Sequence, residues 1–271
     1  MTDRTTHRPR LAIGLRSLLL LVLVAACWMA WRADKARRQG RAVAAILAYG
    51  GSIQCDDLGS DRWAPAWLRS TLDAEYFREV IEVSFAYSGP PRGSTSYLHA
   101  LEGLQDLPGL ERLTLNGEQA TDEGMACIRG LGGLETLRFA GAPRLSDVGL
   151  DHLGTLKGLR SLDVNGYCAT DGWLEHIGGL SRLEILSIGD AGVSGRGLAH
   201  LGRLPNLRVL RLSGGSRARP GDWNWLTEGD LVHLAELSKL EHLTIESPYL
   251  WMGGDPERLK HLSRLRTIYE R

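Results

Sequence analysis

A chain of 271 residues, 43% hydrophobic and 24% charged, suits one large folded body or an elongated body with an anchor. Its net charge of zero conceals an asymmetry: residues 1–41 hold nine Lys/Arg and two Asp/Glu, a charge of +7, so residues 42–271 carry −7. An acidic body argues against nucleic-acid binding, which needs a basic stripe to neutralise phosphates.

The first element is apolar. Residues 11–31 read "LAIGLRSLLLLVLVAACWMAW", 21 residues against the roughly 20 that cross a bilayer as a helix. Ser17 to Trp31 is uncharged, and Arg16 can reach back to the headgroups. Trp28 and Trp31 stand where an interfacial aromatic belt is expected. Arg4, Arg8 and Arg10 flank one side, and Arg32, Lys35, Arg37, Arg38 and Arg41 the other, a setting foreign to a buried core helix. The expectation is a basic tail over 1–10, an uncleaved transmembrane anchor over 11–31 and a basic juxtamembrane segment over 32–41. "VAAC", ending at Cys27, resembles the lipobox of bacterial lipoproteins, in which that cysteine would be acylated after cleavage. The aromatic "WMAW" that follows, in place of a polar linker, favours the span, and the long run disfavours an ordinary signal peptide. The two basic clusters are nearly equal, so the positive-inside rule leaves the side of the body open.

A cap comes next. Residues 42–48 read as helix, "GGSIQC" as a turn and a strand with Ile53 inward, and residues 65–76 as one or two short helices. "VIEVSF" at 80–85 is the first full rung. Residues 42–106 thus close an edge that a stack of repeats would otherwise leave open.

Residues 107–271 are periodic. "LPGLERLTL", "LGGLETLRF", "LKGLRSLDV", "LSRLEILSI" and "LPNLRVLRL" start at Leu107, Leu131, Leu156, Leu180 and Leu204, spaced by 24, 25, 24 and 24 residues. "LSKLEHLTI" follows from Leu237 after 33, and the truncated "LSRLRTI" from Leu262 after 25. Alternation at the end of each row, as in Leu113, Thr114 and Leu115, predicts a short strand with its leucines inward. Thr121, Ser146, Thr170, Ser194 and Thr227 then share one column, where a hydroxyl caps a helix N-terminus. Asp122, Asp147, Asp171 and Glu228 follow in the first turn, where negative charge suits the helix dipole. Met125 and Ile128, Leu150 and Leu153, and Leu198 and Leu201 are the inward helical pairs. Gly154, Gly178 and Gly202 are expected to end their helices in a left-handed conformation. No such unit buries its apolar face alone, so the units must stack into one continuous core.

The rows resemble leucine-rich repeats, whose period is 20 to 29 residues, and "TDEG" before the helix is similar to the ribonuclease-inhibitor-like and F-box-associated subtype. The layout, with the N-terminal span and "RRQGRAVAAILAYGGSIQCDD", resembles the membrane-anchored repeat proteins of planctomycete bacteria. The resemblance implies an α/β solenoid or horseshoe, with a short-stranded parallel sheet on the concave side and helices on the convex side. It also implies a single-pass protein of a bacterial inner membrane, and says little about activity. A ubiquitin-ligase substrate receptor follows from the subtype only; a membrane span stands where an F-box-like segment would precede the repeats. The family's asparagine column is absent, its places taken by Glu118, Tyr167, Ala191 and Gly215.

Little points to chemistry. Cys27, Cys55, Cys127 and Cys168 form no CxxC pair and read as packed small hydrophobes. His152, His176, His200 and His233 share a column with Cys127, but neighbouring helices lie about 8–10 Å apart, too far for ligands that must each sit about 2 Å from a zinc. No GxSxG, HExxH or phosphate-cradling loop occurs, so neither an enzyme nor a cofactor, metal or small-molecule substrate is expected.

Binding is the better expectation. The outward strand positions, including Arg112, Thr114, Asn116, Thr136, Arg138, Ser161, Asp163, Asn165, Ser187, Val209, Arg211, His242, Thr244 and Glu246, mix charges of both signs, which fits a protein ligand. Arg138 and Asp163 should be neighbours about 4.8 Å apart and can pair. The fifth repeat is nine residues longer than its siblings and carries "GGSRARPGDWNW", with Arg217, Arg219, Trp223 and Trp225. The next repeat's loop, "SPYLWMGG", adds Tyr249 and Trp251 at the same edge of the sheet. Trp, Tyr and Arg are enriched at interface hot spots, although these aromatics also suit a lid over the C-terminal end of the core. The expected function is a membrane-tethered protein-binding module with a protein partner; the alternative is a structural spacer without a ligand.

Overall fold

The computed structural model describes residues 15–56, 79–85, 97–141, 145–165, 170–189, 193, 195–213, 230–246 and 267–270. The strands are β1 (Gly51–Asp56), β2 (Glu79–Phe85), β3 (Arg112–Asn116), β4 (Thr136–Ala140), β5 (Ser161–Asn165), β6 (Ile185–Gly189), β7 (Val209–Ser213), β8 (His242–Glu246) and β9 (Thr267–Glu270). They form one nine-stranded sheet in chain order. β1 runs antiparallel to β2, and each later pair is parallel. This is a leucine-rich-repeat solenoid.

Register follows the period. Leu113, Leu137, Leu162, Leu186, Leu210 and Leu243 stand opposite one another in a single column. Leu115, Phe139, Val164, Ile188, Leu212 and Ile245 make the second column, and both are buried. Each buried side chain of this size stabilises the stack by about 1.5–3 kcal/mol. Ahead of each strand the "LxxL" pair closes a tight turn, as in Leu110 N donating to Leu107 O at 3.1 Å.

The return helices are α2 (Tyr97–Glu102, continued by a 3-10 turn over Gly103–Asp106), α3 (Asp122–Ile128), α4 (Asp147–Gly154), α5 (Asp171–Ile177) and α6 (Gly195–Leu201). The next repeat returns as a 3-10 turn, Asp230–Glu236. Thr121 and Ser146 cap α3 and α4 by accepting from Gly124 N and Val148 N. Thr170 precedes α5 without a side-chain cap bond, unlike the expectation for that column.

Asp122 does more than face a helix dipole. Its carboxylate accepts both the backbone N–H (2.9 Å) and the hydroxyl of Ser146, the cap of the next repeat. A side chain at Gly149 would collide with that carboxylate, and one at Gly197 with that of Asp171. Between them Trp173 takes the glycine's place, buried edge-on against Phe139 at 6.1 Å, and Asp147 stands 92% exposed instead.

The glycines at the helix ends correct the sequence expectation. Gly178 has φ −56° and ψ −17°, and neither Gly154 nor Gly202 has a positive φ. The next repeat lies close to Gly178, where a Cβ would sit a tight 3.2 Å from His200 O, whereas at Gly154 a Cβ would meet His176 O at an ordinary 3.5 Å. At Gly202 it would run into the Glu236 carboxylate.

Helix α1 spans Leu15–Ala48, 34 residues or about 51 Å, through the apolar run and the basic segment without a break. From Leu18 to Trp31 its large apolar side chains are exposed, whereas Ala42 and Ile46 are buried against the first rungs. Arg32 lies over the rings of Trp28 and Trp31 at 5.6 and 5.9 Å. Lys35 pairs with Glu79 of β2 at 2.8 Å. After the helix, Tyr49 packs edge-on to Phe85 and accepts a hydrogen bond from Gln119 Nε2, 70 residues away, at 3.0 Å. Gly50, at φ +92°, then turns the chain into β1, a conformation open to glycine at little cost. The segment over 65–76 lies outside the described residues.

Candidate interaction face

Two outward columns cross the sheet. One holds Glu82, Arg112, Thr136, Ser161, Ile185, Val209 and His242; the other holds Ser84, Thr114, Arg138, Asp163, Ser187, Arg211 and Thr244. Asn116 does not join this surface. It is buried, its side chain accepts from Glu118 N at 2.9 Å, and its own N–H donates to the buried Gln119 Oε1 at 3.0 Å. A backbone turn after β3 that must satisfy its donors inside the fold recruits both amides. Strand alternation alone would place Asn116 outward; the turn draws it inside.

The arginines differ in how they are neutralised. Arg112 pairs with Glu82 at 2.8 Å, and Arg138 with Asp163 at 3.3 Å as its spacing implied. Along the edge where chains enter the strands, Arg160 bridges Glu135 (3.5 Å) and Glu184 (2.6 Å), and Arg208 pairs with Glu241 (2.8 Å). Arg211 is exposed, and no described residue pairs with it or hydrogen-bonds its side chain. Its lateral neighbours are the hydroxyl residues Ser187 and Thr244.

Arg138, Asp163 and Arg211 line one open hollow of about 300 Å³, with Ser187 and Thr244 between and beside them. Three of the sequence candidates therefore meet. Arg217, Arg219, Trp223, Trp225, Tyr249 and Trp251 lie outside the described residues. Sequence reasoning missed Ile185, which pairs with Val209 as a half-buried apolar step beside Arg211. Its signal was its column: it holds the place of Ser161 in the row before.

His176 Nδ1 lies 3.0 Å from Asp151, and Nε2 lies 3.9 Å from Asp147. Among the described residues no three His, Cys, Asp or Glu side chains gather as a metal site. Cys55 and Cys127 are half-buried against the core rather than fully buried, and Cys27 is exposed on α1. Burial raises the Cys127 thiol above its ordinary pKa, with Glu102 adding to the effect, which lowers its thiolate content and reactivity.

No family model matches this chain, and no curated protein sequence matches it. Solved structures do. Internalin C2 of Listeria monocytogenes is 24% identical with a TM-score of 0.46, the match covering 63% of this chain and 66% of that one. An internalin of the same organism, inlF, is 20% identical with a TM-score of 0.39 over 62% and 56%. The leucine-rich-repeat ectodomain of the Arabidopsis thaliana membrane receptor kinase GASSHO1/SCHENGEN3 is 17% identical with a TM-score of 0.45, over 84% of this chain and 26% of that one. This chain thus spans from about a quarter to about two thirds of the solved chains it matches, and the likeness is one of fold.

Proposed function

We propose that this protein is a membrane-tethered binding module that holds a protein partner on the outward face of its sheet and carries out no catalysis. The observation that carries the reading is helix α1, whose exposed apolar half and solenoid-packed half are one element. Its apolar stretch has a mean hydropathy of 1.6, with none of it buried in the fold, which suits a bilayer span. A span continuous with the cap ties the position of the binding face to the membrane. The bacterial inner membrane is the compartment, in keeping with the resemblance to planctomycete anchored repeat proteins.

The face supplies the second support. Its hollow joins cationic, anionic and hydroxyl groups with an apolar step, the mixture a protein surface can satisfy. Arg217, Arg219, Trp223, Trp225, Tyr249 and Trp251 add a second contact edge in this reading. The test is alkaline carbonate extraction of the full chain, with chemical cross-linking of the membrane fraction. Retention in the pellet together with a discrete cross-linked species is the expected result. Release by carbonate would remove the tether, and retention without any cross-linked partner would favour the spacer.

A further inference from the structure

Resting on the protein-binding reading, we propose that Arg211 and its neighbours form a carboxylate subsite for an extended partner segment with an acidic and an aliphatic residue two positions apart. Carboxylates on the sheet face engage Arg112 and Arg138, and carboxylates at the entry edge of the strands engage Arg160 and Arg208, so their charge is already met within the protein. Arg211 has no such partner among the described residues, and it lines a hollow open to solvent. A guanidinium presents paired N–H donors that match a carboxylate in bidentate fashion. Ser187 and Thr244, in register on either side, place hydroxyl donors one strand spacing away.

The apolar half of the subsite comes from geometry. Val209 lies two residues before Arg211 on β7, so both side chains leave the same face about 6.7 Å apart. Ile185, opposite Val209, widens that step. An extended segment running along β7 repeats its own side chains at the same interval of about 6.7 Å. Its carboxylate therefore meets Arg211 while its aliphatic residue covers Val209 and Ile185. The nearby Arg138–Asp163 pair is neutral as a unit and leaves the added charge of the hollow to Arg211.

The experiment is a phage selection with random dodecapeptides on the full-length protein in lipid nanodiscs, followed by titration of the enriched synthetic peptides. Expected are sequences with Asp or Glu two positions from Leu, Ile or Val, and a loss of affinity of at least about tenfold for the Arg211→Gln protein. Replacing the peptide's acidic residue by its amide should give a similar loss with wild type and little further loss with Arg211→Gln. Because the Arg211 side chain is exposed and unpaired in the described fold, an unchanged melting temperature confirms that the variant is folded. Enriched peptides that bind Arg211→Gln as well as wild type would overturn the subsite and leave the binding module intact. Failure to enrich any peptide would count against both.

Discussion

The carboxylate of Asp122 accepts two hydrogen bonds from Ser146, the residue that caps the helix of the following repeat, 24 positions on. A motif that reads as local capping is thus also a joint between repeats. Ser146 turns its hydroxyl proton toward Asp122 and keeps an oxygen lone pair for Val148 N, so one side chain serves both repeats.

Removing that joint should be felt mainly as stability. Asp122→Ala should cost about 1 kcal/mol, the net worth of a hydrogen bond or two at a half-exposed site. Gly149→Ala should cost at least as much, because its Cβ meets the same carboxylate. The corresponding change at Gly172, whose Cβ would meet only Thr170 Oγ1 at 3.7 Å, should be milder. Urea titrations of the three variants give the comparison.

The joint also has a pH signature. The hydrogen bond from the Ser146 side chain holds the Asp122 carboxyl below its ordinary pKa against an opposing desolvation, with the Ser146 and Gly149 backbone adding to the lowering. A depressed native pKa means that the stabilisation is present above the ordinary carboxylate range and is lost as pH falls through the lowered value. The difference in melting temperature between wild type and Asp122→Asn should therefore be largest near neutrality and shrink below about pH 4. A difference that grows on acidification would contradict the assignment.

Inward and outward columns should separate cleanly. Leu162, fully buried between rungs, should cost about 2–5 kcal/mol on truncation to Ala. Asp163→Ala, one residue on and in an exposed pair with Arg138, should cost less than about 1 kcal/mol. Similar losses in the two denaturant melts would mean that the columns are misassigned.

The end of α1 is expected to be a stability determinant. Tyr49→Phe removes the acceptor of the buried Gln119 Nε2 donor and should cost about 1–3 kcal/mol. Gln119→Leu should cost more than Tyr49→Phe, because it also removes the Oε1 that accepts the N–H of the buried Asn116. Thermal melts of the detergent-solubilised full chain supply the measurement.

Much of the fold was legible because leucine at a fixed period has one physical solution: Leu113, Leu137 and Leu162 are inward because adjacent rungs bury one another. What escaped were relations between repeats. Gly178 reads as a left-handed helix terminator, and only the structure shows its right-handed backbone and the His200 carbonyl of the next repeat 3.2 Å from where a Cβ would sit. Asn116 alternates like an outward strand residue, and only the turn's need for internal acceptors draws it inside. At the site, Arg138 and Asp163 were legible as neighbours from spacing. The isolation of Arg211 was not, because it depends on which rungs place a carboxylate opposite each other arginine.

The most direct measurement is site-specific photocrosslinking in intact cells, with a benzophenone side chain at Ser187 on the sheet face or at the exposed Glu123 on the helix side. The Ser187 probe should give a discrete protein adduct that sediments with membranes, and the Glu123 probe should give none of comparable yield. Equal adducts from both positions, or none from Ser187, would contradict a partner held on the face around Arg211.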